Sequence, residues 1–183
     1  MGLRSCRIAA FFLIGALFLI AHPSHAETAE EYFNRGVASH RRGNLTQAIS
    51  DYSSAIKIDP ANSNVYNNRG SAFAMQGNTS RAIADFTSAI EIDPNDAEAY
   101  RNRGLAYYLQ GNYVFAISDY NRAVDADPGL ASAYNSRGHA YYATKEYEMA
   151  WADVHKAEAL GYKADPEDLK FIEKLKKASG RDK

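Results

Sequence analysis

Apolar and small residues follow a pattern that returns every 34 residues along this chain. Within one period, Tyr66, Gly70 and Phe73 recur every three or four positions, which places them on one face of a helix. A second stripe with the same spacing follows and consists of Ala82, Ile83, Phe86, Ala89 and Ile90. Each period therefore predicts two amphipathic helices.

The same residue types occupy the same places in four successive periods. The first-helix glycines are Gly36, Gly70, Gly104 and Gly138. The second-helix alanines are Ala48/Ala55, Ala82/Ala89, Ala116/Ala123 and Ala150/Ala157. These small residues allow two helices to approach closely, while aromatic residues fill the flanks. Because one such hairpin is too small to bury its own apolar face, the pattern predicts a row of stacked copies.

Turn residues set the boundaries of each unit. Gly77 ends the first helix, Asn78 caps the second, and Asp93-Pro94 ends it. The predicted repeats cover about 29–62, 63–96, 97–130 and 131–164. The sequence thus predicts an all-α protein, an α-solenoid of four helix-turn-helix repeats that occupies residues 27–164. The end repeats are less regular, since Ser39 replaces an aromatic residue, Lys145 the turn glycine and Val154 another aromatic residue.

A capping helix and tail are predicted for residues 165–183. Asp165 suits an N-cap and Pro166 the first turn of a helix. We expect Leu169, Ile172 and Leu175 to face inward. The lysines expected to face solvent are Lys170, Lys174, Lys176 and Lys177. Such a helix would give the stack a polar outer end.

The repeated phrase, aromatic-x-x-x-Gly-x-x-aromatic followed by Ala-x-x-x-aromatic-x-x-Ala and Pro, resembles the tetratricopeptide repeat. Its first elements are Tyr32/Gly36, Tyr66/Gly70, Tyr100/Gly104 and Tyr134/Gly138. The resemblance extends from about Ala29 to Ala164. It implies a module that binds other proteins in a concave groove lined by the first helices.

Residues 1–26 have the layout of a secretory signal peptide. Arg4 and Arg7 precede an apolar run from Ile8 to Ala21, and small residues around Ala26 suit cleavage. The run has 14 residues, whereas a membrane-spanning helix needs about 20. We therefore expect an exported protein in a bacterial periplasm, with an extracellular location or a retained anchor as alternatives.

The net charge restricts the classes of partner, and the cysteine content restricts the possible disulfides. The whole chain has a net charge of −1, and removal of Arg4 and Arg7 leaves 19 basic against 22 acidic residues, about −3. This balance disfavours nucleic acid or an anionic membrane as a partner. The lone cysteine, Cys6, lies in the signal segment, so the remaining 157 residues must fold without disulfides.

Candidate catalytic chemistry is absent from the sequence pattern. Beyond residue 26 the histidines are His40, His139 and His155, in separate repeats without acids at metal-ligand spacing. Only His139 is placed to line the groove, and a solvated surface histidine is the simpler interpretation. The sequence predicts no enzyme activity, no metal and no cofactor.

A charged pair recurs next to the packing residues. Arginine precedes each first-helix glycine, and aspartate follows 16 residues later. The pairs are Arg35/Asp51, Arg69/Asp85, Arg103/Asp119 and Arg137/Asp153. We expect structural ion pairs across the helix interface, because neither partner can be freely solvated there.

Polar first-helix residues predict a peptide-binding surface. One per repeat lies off the packing stripe: Asn34, Asn68, Asn102 and Ser136. Asn67, Arg101 and Asn135 precede three of them, and Tyr108, Tyr142 and His139 follow. Amides both donate and accept, so a row of them can bind the backbone of an extended peptide. The alternative is a solvated helix surface.

The family's clamp for chaperone C-terminal carboxylates is not reproduced. Lys, Asn, Asn, Lys and Arg would be needed where this chain has Phe33, Val37, Asn68, Glu98 and Asn102. We expect a scaffold or adaptor that holds a segment or helix of another protein in its groove. A self-associating homodimer and a regulatory subunit of an envelope membrane complex stay open as alternatives.

Overall fold

The computed structural model describes residues 27–181, so the predicted signal segment lies outside the described residues. Within this range the chain forms nine α-helices and no strand. Their bounds are α1 Ala29–Arg41, α2 Leu45–Ile58, α3 Ser63–Met75, α4 Thr79–Ile92, α5 Ala97–Leu109, α6 Tyr113–Ala126, α7 Ala131–Ala143, α8 Tyr147–Ala159 and α9 Pro166–Ala178. None of these helices is both long and apolar enough to cross a membrane.

Short turns separate the two helices of each repeat. Asn44 and Asn78 each accept a hydrogen bond at 3.3 Å from the backbone amide three residues later, as expected of N-caps. In the first three repeats a glycine occupies the turn with φ of 76° or 77°. Lys145 takes the same left-handed conformation in the fourth repeat, with φ of 66°. The fourth turn therefore keeps its geometry without glycine.

Helices pack in chain order, and each pair lies against the next. Consecutive odd-numbered helices contact one another more extensively than even-numbered ones do. The odd-numbered helices therefore line the inner side of a curved row, as predicted. The core between them is built from fully buried small and aromatic side chains, and these are Ala48, Tyr52, Ala55, Ala82, Ala89, Ala116, Tyr120, Ala123 and Ala150.

The first-helix glycines mark the closest approach within each repeat. A Cβ atom added to Gly104 would lie 2.8 Å from the ring of Tyr120. The first and second repeats have the same contact at 2.7 Å, with Gly36 on Tyr52 and Gly70 on Phe86. In the fourth repeat the nearest atoms to such a Cβ at Gly138 are the carbonyl oxygen of Ala150 at 3.3 Å and Val154 at 3.4 Å. This last interface is looser because valine replaces the ring.

The capping helix α9 forms as predicted, with Leu175 buried and Ile172 packed against the same apolar cluster, but one residue predicted to face inward is exposed. Asp165 caps it through hydrogen bonds from the amides of residues 167 and 168. Phe171 and Leu175 are buried, whereas Leu169 is 55% exposed, so the prediction for Leu169 is wrong. The inward face includes Asp168 and Phe171 in place of Leu169, because the buried carboxylate of Asp168 is held by hydrogen bonds from α7.

Candidate functional site

The predicted arginines and aspartates meet across each helix pair. Arg69 donates from Nε and Nη2 to the two carboxylate oxygens of Asp85, both at 2.8 Å. Arg103 with Asp119 and Arg137 with Asp153 have the same two-pronged geometry, at 2.7–2.8 Å. Hydrogen bonding to Asp119 raises the pKa of Arg103, and the guanidinium stays charged. These pairs join the two helices of a repeat.

The arginine of each of repeats two, three and four also contacts the preceding repeat. The third nitrogen, Nη1, donates to a polar side chain on the preceding second helix. These bonds are Arg69 to Ser53 at 3.0 Å, Arg103 to Thr87 at 3.1 Å and Arg137 to Asn121 at 2.7 Å. Sequence reasoning missed these three acceptors, although they also follow the 34-residue period. One guanidinium thus connects three helices.

The first repeat has a weaker version of this arrangement. Arg35 has a side chain 43% exposed and also contacts Glu27, since no repeat precedes it within the described residues. Both of its bonds to Asp51 go to a single carboxylate oxygen, Oδ1, at 2.9 Å. The other oxygen, Oδ2, is buried without a hydrogen-bond partner among the described residues.

The predicted amide row is partly engaged by the chain itself. Asn68 donates to the backbone oxygen of Asn64 at 2.8 Å. Asn102 donates at 3.0 Å to the side-chain oxygen of Asn67, which links α3 to α5. Asn34 is exposed on α1. The amides of α3 and α5 therefore lie together and keep some donor and acceptor capacity for a ligand.

In the fourth repeat, Asn135 does not present its amide to solvent. Asn135 is only 7% exposed, and it donates to Asp168 at 3.0 Å and to the Tyr162 hydroxyl at 3.1 Å. Ser136 hydrogen-bonds the buried Tyr120, whose pKa is raised by burial. The capping helix and its preceding loop therefore close the amide row at this end.

Arg101 is also engaged, because its Nε donates to Glu98 at 3.0 Å. Glu98 is one of the residues at which the sequence departs from the chaperone-tail clamp. A partner would have to compete with this ion pair to reach either charge.

An apolar pocket of about 180 Å³, here called the central pocket, opens between α3, α4 and α5. Its lining residues are Ser71, Ala74, Met75, Thr79, Phe86, Asn102, Leu105, Ala106 and Leu109. Met75 and Leu109 are 64% and 69% exposed at its edge. Sequence reasoning missed this pocket. The sequence signal that could have revealed the pocket is a large apolar residue at first-helix positions that lie off the packing stripe.

A second pocket of about 270 Å³, here called the cap pocket, lies between α5, α7 and α9. It brings together three predicted groove residues: Tyr108, His139 and Tyr142. The capping helix supplies Glu167, Lys170, Phe171 and Lys174. Both of these lysines were expected to face solvent, but they border this pocket.

His139 is not a solvated surface histidine. Its ring stacks on Phe171 with centroids 3.7 Å apart, and its Nε2 lies 3.1 Å from Asp168. Asp168 also accepts from the Tyr162 hydroxyl at 2.9 Å. Burial acts to raise the pKa of Asp168, but hydrogen bonds from Asn135, Tyr162, His139 and the Asp165 backbone lower it overall. The cluster holds an ionised carboxylate that fastens α9 to α7.

No group of three or more potential metal-ligating side chains occurs within residues 27–181. Stacked helix pairs with two pockets on their inner side define a helical-repeat protein with a binding groove. Two family profiles match the chain: TPR repeat over residues 36–77 and 70–111, and tetratricopeptide repeat over residues 97–130. Together they span residues 36–130, just over half of the chain. The protein belongs to the tetratricopeptide-repeat family.

Solved structures agree with this assignment. The crystal structure of MamA is 27% identical, with a TM-score of 0.68 over 73% of this chain and 78% of that one. The first TPR of Spaghetti (RPAP3), bound to the HSP90 peptide SRMEEVD, is 25% identical, with a TM-score of 0.62 over 64% and 93%. The Arabidopsis OM64 TPR domain is 28% identical, with a TM-score of 0.59 over 61% and 93%. No curated protein matches the chain.

Proposed function

We propose that this protein is an adaptor whose groove binds an extended segment of another protein. The observation that carries the proposal is the central pocket, where an apolar cavity lies open on the inner side between exposed Met75 and Leu109. An apolar side chain of the partner would fill this pocket and bury its surface. Asn67, Asn68 and Asn102 lie beside it and would bind the partner's backbone.

The proposed ligand is an internal segment, because the positions at which the family grips a C-terminal carboxylate lack the required charges. At two of the clamp positions, Phe33 packs against Tyr52 with ring centroids 6.0 Å apart and Glu98 adds a negative charge. RPAP3 binds its HSP90 peptide on the same type of fold. That structure supports groove binding in general.

We place this function outside the cytoplasm, in a bacterial periplasm. The support is the layout of residues 1–26, with two arginines, an apolar run and small residues at the predicted cleavage point. Mass spectrometry of the purified native protein is expected to give an N-terminus at Glu27. An intact Met1 would contradict cleavage. It would favour the alternative in which residues 1–26 stay as an anchor and the protein belongs to a membrane complex.

Site-specific photocrosslinking tests the groove. A photoreactive amino acid at Leu109 is expected to label a partner protein, and the label should disappear when Leu105→Lys places a charge in the central pocket. The matched control carries the photoreactive group at Ser118, which is exposed on α6. Equal labelling from both positions, or labelling unaffected by Leu105→Lys, would remove the groove proposal.

Light scattering distinguishes the homodimer alternative. The adaptor proposal expects a monomer that retains this state in the Leu105→Lys variant. A dimer in the native protein that becomes monomeric in the variant would show that the groove binds a second copy of the chain.

A further inference from the structure

The cap pocket contains donors from three helices. Tyr108 comes from α5, His139 and Tyr142 from α7, and Lys170 and Lys174 from α9. Its apolar wall is Phe171, which meets Tyr142 edge-on with ring centroids 5.4 Å apart. The arrangement combines an aromatic wall with ammonium and phenol groups at the rim. Carboxylates are the protein groups that such donors bind most strongly.

The charges at this rim favour an anion. Lys170 and Lys174 lie one turn apart on the same face of α9. Glu167 neutralises one of them through an exposed ion pair with Lys170 at 2.7 Å. Lys174 has no ion pair within the described chain, so its ammonium is available to an anion. The nearby carboxylate of Asp168 is only 6% exposed and already accepts hydrogen bonds from Asn135 and Tyr162. Burial raises the pKa of Tyr108, whose phenol therefore stays protonated and able to donate at neutral pH.

The two pockets flank α5 on opposite sides. Leu105 and Leu109 face the central pocket, whereas Tyr108 faces the cap pocket. Packed helices lie about 8–10 Å apart, and a segment in the polyproline II conformation advances about 3.1 Å per residue and returns to the same face every three residues. A segment crossing α5 would therefore place side chains about three residues apart in the two pockets.

We propose that the cap pocket binds the carboxylate of an aspartate or glutamate in the partner segment, about three residues from the apolar side chain that fills the central pocket. This inference rests on the proposed function and adds a charge requirement to it. It assigns α9 a second role, since the helix that ends the stack also forms one wall of the groove. Lys176 and Lys177 lie on the same helix but outside the pocket, so they do not contribute.

A random dodecapeptide phage library, selected on the immobilised protein, tests both the groove and the carboxylate site. On the native protein we expect enrichment of an aliphatic residue with an acidic residue about three positions away. Selection on a Lys170→Gln/Lys174→Gln variant should keep the aliphatic preference and lose the acidic one. The matched control is Lys176→Gln/Lys177→Gln, which removes the same charge from the same helix and should leave both preferences intact.

A synthetic peptide from the selected set then gives the size of the effect. Replacing its acidic residue by the corresponding amide is expected to weaken binding by about fivefold to tenfold, as measured by fluorescence anisotropy. The same replacement should have no effect on the Lys170→Gln/Lys174→Gln variant. Near-identical thermal unfolding of all variants would show that α9 stays docked.

The outcomes separate the two proposals. Aliphatic enrichment without an acidic preference would overturn the carboxylate site and leave the central pocket in place. An acidic preference lost equally in the Lys176/Lys177 control would reduce the effect to general charge and also overturn the site. Identical peptides from the native protein and from Leu105→Lys would overturn groove binding itself.

Discussion

The third and fourth repeats have the same backbone plan but differ at their packing centres. In the third repeat Gly104 lies against the buried ring of Tyr120, and the inner side of α5 is open. In the fourth, Val154 replaces the ring and α9 covers the inner side of α7. Phe171 and Leu175 from α9 join the apolar cluster of Val154. The capping helix thus supplies apolar contacts that the fourth repeat lacks.

This difference shows that a repeat's packing depends on its neighbour as well as on its own signature. An inner repeat is covered by a helix pair, whereas the fourth is covered by one helix. Stability in such arrays is a sum of unit and interface terms. A weak unit can therefore persist where the interface beside it is strong.

The largest effect is expected from the arginine pairs, which the two repeats share. Arg103→Leu and Arg137→Leu should each lower the free energy of unfolding by about 3–5 kcal/mol, because a buried aspartate loses its partner. Urea denaturation measures this loss. Arg35→Leu should cost less, since Arg35 is more exposed and Asp51 keeps a hydrogen bond from Gln47 at 3.1 Å.

The double variant Arg103→Leu/Asp119→Leu sharpens this test. Removing both charges should recover much of the stability lost in Arg103→Leu. A double variant no more stable than the single one would show that the two groups are not energetically coupled.

Adding one methyl group compares the two packing centres directly. Gly104→Ala should cost about 1–3 kcal/mol, because the new Cβ overlaps the ring of Tyr120 in a fully buried site. Gly138→Ala should change stability by less than about 1 kcal/mol, since alanine's higher helix propensity offsets tighter contacts. Equal losses in urea denaturation would contradict the proposed difference in packing.

Acid should loosen the capping helix as Asp168 becomes protonated. Because the folded pKa of Asp168 is lowered, its stabilising effect is complete above the unfolded value of about 3.9 and is lost as the pH falls through the folded value. Fluorescence of Trp151, which packs beside Phe171 and Leu175, reports on this contact. We expect its transition below about pH 3.9, because the folded pKa of Asp168 lies under the unfolded value.

The Asp168→Asn variant provides the control for acid loosening. It should cost about 1–2 kcal/mol at neutral pH, because the amide satisfies the surrounding donors less well. Its Trp151 signal should also lose the separate acid transition. If the native protein and the variant titrate identically, Asp168 does not fasten α9.

The smallest effect is expected at the turns. Lys145→Gly should stabilise the fourth repeat by about 1 kcal/mol, because glycine adopts the left-handed conformation without strain. Gly111→Lys should cost a similar amount from backbone strain, because φ is 77° at this position and no atom lies within 4 Å of an added Cβ. Thermal unfolding should shift by about 2–4 °C in opposite directions. A shift of the same sign in both would contradict a backbone origin.

Much of the fold could be predicted because glycines, alanines and aromatic residues recur at every close approach. The exposure of Leu169 on α9 could not, because a single helix has no period and its rotation is set by bonds from Asn135 and Tyr162 to Asp168. The amide row followed the period, yet its accessibility at Asn135 depends on α9. The central pocket depends on Leu105 and Met75, which depart from the repeated pattern and are hidden when the repeats are averaged.

The backward reach of each arginine gives the array a direction. If the first repeat were removed, Nη1 of Arg69 would lose its acceptor on Ser53. If the second repeat were removed, Ser53 would still donate its hydroxyl proton to the backbone oxygen of Ile49 at 2.7 Å. Shortening from the amino end therefore leaves a cation without one of its acceptors, whereas shortening from the carboxyl end leaves a satisfied alcohol. Chains that gain or lose repeats in evolution would therefore tolerate the change more readily at the carboxyl end.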